Sequence, residues 1–133
     1  MDLSQKRLRF DSADLVEEGR QCRVKVTFSF VDQVIQTSAV GEKEGLGPLR
    51  AAAVAALAAV EQAVSGRFVC RLTDLDHVNA LGKDLIAVLV DVEFEGREVQ
   101  LFGSCSMQES DIGTAAKAAL NATNRFFELA MRE

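Results

Sequence analysis

From Cys22 the chain alternates cleanly: Cys22, Val24, Val26, Phe28 and Phe30 are apolar, and Arg23, Lys25, Thr27 and Ser29 between them are polar. A period of two is the pattern of a strand with one buried face. Asp32 and Gln33 read as a turn, so Val34 to Val40 is expected to return as the second arm of a hairpin. The run Gly41-Glu42-Lys43-Glu44-Gly45-Leu46-Gly47 reads as a loop. Pro48, the only proline, precedes LRAAAVAALAAVEQAV, which is where proline stands in the first turn of a helix. Leu49, Ala53, Leu57, Val60 and Val64 form one stripe of that helix, and Gly66 is placed to end it. Its alanines leave little bulk, so the helix is expected to lie close against a sheet.

The second half reads similarly. Phe68, Cys70 and Leu72 alternate with Arg67, Arg71 and Thr73, but the phase is lost between Asp74 and Val78. Leu85 to Glu95 carries Ile86, Val88, Val90, Val92 and Phe94 on one face and Ala87 and Leu89 on the other, as a central strand would. Glu95-Gly96 is a short turn into Val99, Leu101, Gly103 and Cys105, completing a second hairpin. From about Gln108 to Met131 the period is helical, with Ile112, Ala116, Ala119, Leu120, Thr123 and Phe127 along one side. Ser106 with Glu109 fits a capping box, with Ser110 and Asp111 as alternative caps.

The halves also align. A shift of 64 sets Val24, Val26, Phe30 and Gln36 on Val88, Val90, Phe94 and Gln100. A shift of 63 sets Ala52, Ala53, Ala55, Ala56, Leu57 and Ala59 on Ala115, Ala116, Ala118, Ala119, Leu120 and Ala122. A shift of 62 sets Arg9, Asp14 and Val16 on Arg71, Asp76 and Val78, which makes Leu8 to Val16 a first strand. The expected fold is therefore α+β: a duplicated βββα unit with mainly antiparallel strands and two helices packed on one side. One domain is expected over residues 1–133, with the first unit at about 5–66 and the second at about 67–131. The sheet face away from the helices must be solvated or covered, and Ala87 and Leu89 suggest a cover; a second copy is the simplest one.

Charge narrows the function. At a net −5 the cations are scattered, so the clustered Lys and Arg that neutralise phosphates are missing, and nucleic acid is not an expected partner. Lys6, Arg7 and Arg9 are answered by Asp11, Asp14, Glu17 and Glu18 as a solvated face. With no apolar segment at the N-terminus and no run long enough for a membrane helix, no signal peptide or membrane partner is expected, and the location is read as cytoplasmic. Cys22, Cys70 and Cys105 are odd in number and lack CxxC spacing, so they read as core thiols, with no disulfide framework and no zinc site.

Catalytic candidates are few. His77 is the only histidine, and no Ser/His/Asp order, HExxH, Walker loop or GxGxxG is present. Asp74, Asp76 and His77 could be read as a metal cluster, but they read more simply as a solvated turn. Glu42/Glu44, Glu93/Glu95 and Asp74/Asp76 read as exposed faces, so no catalytic residue, metal or cofactor is nominated. The two helix entrances, Gly45-Leu46-Gly47-Pro48 and Glu109-Ser110-Asp111-Ile112-Gly113, are more informative. Glycine lets a ligand approach the backbone, and free N–H groups at a helix start favour a carboxylate or phosphate. Equally, glycine loops simply turn chains.

Three stretches carry a resemblance: GEKEGLGPL before the alanine-rich helix, the hairpin Val88 to Cys105, and SMQESDIGTAAKAALNATNRFF. They resemble the C-terminal regulatory, or LeuA dimerisation, domain of isopropylmalate and citramalate synthases, over about residues 5–130. The resemblance implies a duplicated βββα domain that dimerises and binds a feedback amino acid near its dimer interface. It places Gly45, Gly47, Pro48, Asp111 and Ile112 near an effector pocket, with Cys70, Ala115 and Ala119 beside them. The family's catalytic barrel and metal ligands are absent, so the synthase reaction does not carry over. The expected function is non-catalytic dimerisation with effector binding. Its partners would be a second copy, a small amino acid or organic acid, and a separate catalytic subunit. The alternatives are a protein–protein interaction module without a ligand, and an enzyme using His77 as general base.

Overall fold

A computed structural model describes residues 8–131. The chain runs β1 (Arg9–Glu18), β2 (Gln21–Phe30), β3 (Gln33–Glu42), α1 (Gly47–Ala63), β4 (Phe68–Ala80), β5 (Lys83–Phe94), β6 (Arg97–Ser106) and α2 (Asp111–Met131). The fold is α+β, with the order βββα occurring twice. Each triplet of strands makes its own antiparallel sheet, β1-β2-β3 and β4-β5-β6. Lys6, Arg7 and the expected start of the first unit at residue 5 lie outside the described residues.

All four hairpins close with two residues: Gly19-Arg20, Val31-Asp32, Leu81-Gly82 and Glu95-Gly96. The β2–β3 turn sits one residue earlier than Asp32-Gln33, because Gln33 already pairs with Phe30. In the last two turns both residues have positive φ, the geometry that matches the twist of paired strands. Val31 also sits at positive φ, where a β-branched side chain is strained.

The lost phase after Leu72 has a local cause. The β4–β5 register skips Thr73 between Leu72 and Asp74, so a bulge moves the following residues one step around the strand. Asp74, Asp76 and His77 therefore belong to a continuous β4 and not to a turn. The β1–β2 register skips Asp11 between Phe10 and Ser12 at the corresponding place. Further on, β5 is 12 residues long against 10 for β2, which carries the repeat offset from 62 in the first hairpin to 64 in the second.

On the inner faces, Val24, Val26 and Phe28 of β2 and Ile86, Val88, Val90 and Val92 of β5 are fully buried. Helix α1 packs on β2 and β3 of its own sheet, on α2, and on β4 of the other sheet; α2 packs on β5, β6, α1 and β1. Each unit thus lends an edge strand to the other's helix. With neighbours on several sides, α1 leaves only Arg50, Val54, Ala58 and Gln62 exposed along its middle, at a spacing of four. That explains the alanines: most of the circumference must fit against backbone. The hydroxyl of Thr37 on β3 donates to the Ala55 carbonyl of α1 at 2.5 Å, and Phe68, Phe94 and Phe126 close the far end edge to face. Among the described residues no buried side-chain polar atom lacks a partner, and no helix is long and apolar enough to cross a membrane.

The outer faces differ. Across the first sheet run Asp14, Lys25 and Ser38, and next to them Val16, Arg23 and Val40. Across the second run Asp74, Leu89 and Phe102, and next to them Asp76, Ala87 and Ser104.

Candidate functional site

At the first helix entrance β3 continues to Glu42, which shortens the expected loop. Gly45 takes φ +60 with open space where a side chain would stand. Gly47 has the opposite constraint, since a Cβ there would collide with the Glu42 carbonyl, and one on Gly41 would lie 2.7 Å from the Gly47 carbonyl oxygen. The missing side chains let β3 and the start of α1 cross in direct backbone contact. The Gly47 N–H donates to Glu44 O, Pro48 has no N–H, and Leu46 makes no side-chain cap. This entrance therefore has few free donors for an anion.

At the second entrance Ser110 is the cap: its hydroxyl accepts the Gly113 N–H at 3.1 Å, and its carbonyl accepts the Thr114 N–H at 2.9 Å. Asp111 opens α2, where its own carboxylate complements the helix dipole. Ile112 is half-buried against the core, and Ala115 and Ala119 are wholly buried. Gly45, Gly47 and Pro48 belong to one entrance and Asp111 and Ile112 to the other; neither set lines the hollows described next.

Between α1 and β4 lies a hollow of about 250 Å³, lined by Val54, Leu57, Ala58, Glu61, Cys70, Arg71 and Leu72. Three residues build its polar side. Glu61, in the last turn of α1, accepts the backbone N–H of Cys70 at 2.6 Å through Oε1. Burial, with the nearby Glu61 charge acting in the same direction, pushes the Cys70 thiol up to about 12. This thiol is a neutral lining group, not a nucleophile. Arg71 turns its guanidinium to the outer face, 3.3 Å from Asp91. What remains is a carboxylate with one oxygen engaged, facing apolar Val54, Leu57 and Leu72. Such a site suits a small ligand with an ammonium group and an aliphatic part. The volume is below the roughly 300–1,000 Å³ of sites for drug-sized ligands.

Pseudo-symmetry places a twin of this hollow between α2 and β1, with Lys117 at the position of Val54 and Phe10 at that of Leu72. There the Lys117 ammonium lies over the Phe10 ring, 5.4 Å from its centroid. Asn121 stands for Ala58 and turns to its own sheet, donating to the Ser104 carbonyl of β6 at 2.9 Å. The twin position is covered by Lys117 on Phe10.

Sequence reasoning had singled out Cys70, through resemblance, but not Glu61, Val54 or Leu72. Their nearness depends on α1 meeting a strand of the other unit. His77 stands on β4 with Nε2 3.7 Å from Asp84, and among the described residues no three His, Cys, Asp or Glu side chains group as metal ligands. A second hollow of about 160 Å³ lies on the outer face of the second sheet, beside Ala87, Leu89 and Phe102. No family model matches the chain, and no curated protein matches it either.

Proposed function

We propose that this chain is a non-catalytic regulatory domain that self-associates and binds a small amino acid in the hollow between α1 and β4. The observation that carries the reading is the difference between the twin positions: one is filled by Lys117 on Phe10, the other left open with a carboxylate at its edge. Nothing in the fold requires the open one, because the same unit closes it elsewhere. Glu61 would take the ammonium group, and Val54, Leu57 and Leu72 the aliphatic side chain. The resemblance to the synthase regulatory domain supports the same ligand class and brings Cys70 to the same place. It also assigns Gly45, Gly47, Pro48, Asp111 and Ile112 to the effector's surroundings; in this reading they set the helix entrances and do not hold the ligand. A separate catalytic subunit and a cytoplasmic location belong to the same reading.

Thermal-shift and calorimetric titration of the whole chain with leucine, isoleucine, valine and their 2-keto acids test it. A branched amino acid at 100 times its dissociation constant is expected to stabilise by about 2.7 kcal/mol. The keto acids, lacking the ammonium group, should stabilise far less, and Glu61→Gln should remove the amino-acid effect. A response to none of these compounds sinks the effector reading. It would favour a ligand-free interaction module, for which the apolar residues on the outer face of the second sheet speak.

A further inference from the structure

Strand β4 pairs with β5 along one edge and leaves the other unpaired. Backbone groups point to alternate edges along a strand, and three amides show which residues of β4 turn to the unpaired one. The Cys70 N–H donates to Glu61 of α1 at 2.6 Å, the Leu75 N–H to the Asp74 carboxylate at 2.8 Å and the His77 N–H to the Asp76 carboxylate at 2.9 Å. None of these bonds goes to β5. Leu72 lies two residues after Cys70 and before the skipped Thr73, so it turns to the same edge. Its N–H and the Cys70 carbonyl are therefore consecutive groups there, and both residues line the hollow between α1 and β4.

A backbone N–H turned away from its sheet needs an acceptor. Cys70, Leu75 and His77 each receive a carboxylate of this chain, while among the described residues no side chain meets the Leu72 N–H. The position calls for a carboxylate from outside. The Cys70 carbonyl and the second oxygen of Glu61, on the side away from Thr73, accept an ammonium group. A carbonyl and the amide two residues on are the pair that one residue spans in a parallel ladder, so their spacing fits the nitrogen and carboxylate of one α-amino acid. A free amino acid can also turn about that line and lay its side chain on Val54 and Leu57. Nothing longer fits this edge. Glu61 holds it at Cys70, Asp74 and Asp76 fold back over the Leu75 and His77 amides, and Arg50 of α1 ties Asp74 at 3.3 Å. The pairing with Arg50 also offsets the Asp74 charge near the ligand carboxylate. Resting on effector binding in this hollow, we propose that the Leu72 N–H is the donor that holds the ligand carboxylate. With Glu61 and the Cys70 carbonyl it selects a free α-amino acid over an amine or a peptide.

Amide hydrogen exchange on the isotopically labelled whole chain, with thermal shift to report binding, is the experiment. The probes are leucine, isoleucine and valine, the amines left when the carboxylate of each is replaced by hydrogen, and the dipeptides of each with a C-terminal glycine. The amino acid that binds is expected to slow exchange of the Leu72 amide by roughly tenfold or more, the size of one hydrogen bond to a charged group. The Leu75 and His77 amides should keep their own rates, since their acceptors belong to the chain. The matching amine should leave the Leu72 rate unchanged, and amine and dipeptide should both bind roughly tenfold or more weakly than the amino acid. An amino acid that binds without slowing Leu72, or an amine or dipeptide that binds as tightly, overturns the assignment and leaves an effector site read through Glu61 alone. If none of the three amino acids binds, the effector reading itself is overturned and the role of Leu72 falls with it.

Discussion

Lys117 and Phe10 stand where Val54 and Leu72 stand in the other unit, and the contact between them closes one of two equivalent hollows. A cation over an aromatic face near the surface contributes about 0.5–1 kcal/mol. Lys117→Ala is expected to lower stability by about that amount, and Lys117→Arg to retain most of it. Urea denaturation with an unchanged slope checks this, since a shifted midpoint at constant slope reports stability alone. An alanine variant as stable as wild type would mean that the lysine covers the ring without being held by it.

Val31 occupies the tight β2–β3 turn at φ 56. The left-handed region costs an ordinary residue roughly 1–2 kcal/mol, and asparagine much less. Val31 is also 60% exposed, so little packing is lost on replacing it. Val31→Asn should stabilise by about 1 kcal/mol, read by calorimetry as a melting temperature several degrees higher. A lower melting temperature would show that the valine serves a contact outside this chain.

The Cys70 thiol, raised to about 12, changes how the protein responds to alkali. In the unfolded chain the thiol ionises near pH 9, while in the folded chain it keeps its proton to about pH 12. The folded state therefore binds more protons between these values, and stability must fall as pH rises through that window. At pH 9 Cys70 in the folded chain keeps its proton. Alkylation by iodoacetamide, mapped by peptide mass, should be slow at Cys70 in the native protein and become ordinary in denaturant. Glu61→Gln should speed the native reaction modestly by removing the lesser cause of the shift. Fast labelling of native Cys70 would contradict its place in the hollow.

Ser110 holds the first turn of α2 through the Gly113 N–H. Ser110→Ala should cost about 0.5–2 kcal/mol, and Ser110→Asp should recover most of it. Hydrogen exchange would place the loss at the Gly113 and Thr114 amides. Uniform loss across the chain would point to a different cause.

The strands, the helices and their duplication could be read from the chain because each is written in local periodicity. Cys22 to Phe30 alternates without interruption and forms β2 with the faces the pattern assigns. From Asp74 to Val78 the alternation is lost, and Asp74, Asp76 and His77 read as a solvated turn, because one extra residue, Thr73, moves every later side chain on β4 and mimics the end of a strand. The capping of α2 was open among three residues, since Ser106, Ser110 and Asp111 are chemically equivalent candidates and only the chain path chooses between them. At the site, Glu61 and Cys70 lie nine positions apart on separate elements, and no spacing rule connects a carboxylate in a helix's last turn to an amide on the next strand. Their hydrogen bond depends on α1 reaching across to β4.

That reach, repeated where α2 meets β1, has a consequence for cooperativity. Either βββα half taken alone would leave one flank of its helix bare, because the strand that covers it comes from the other half. The two halves therefore stand or fall together, and the unit of stability is the pair.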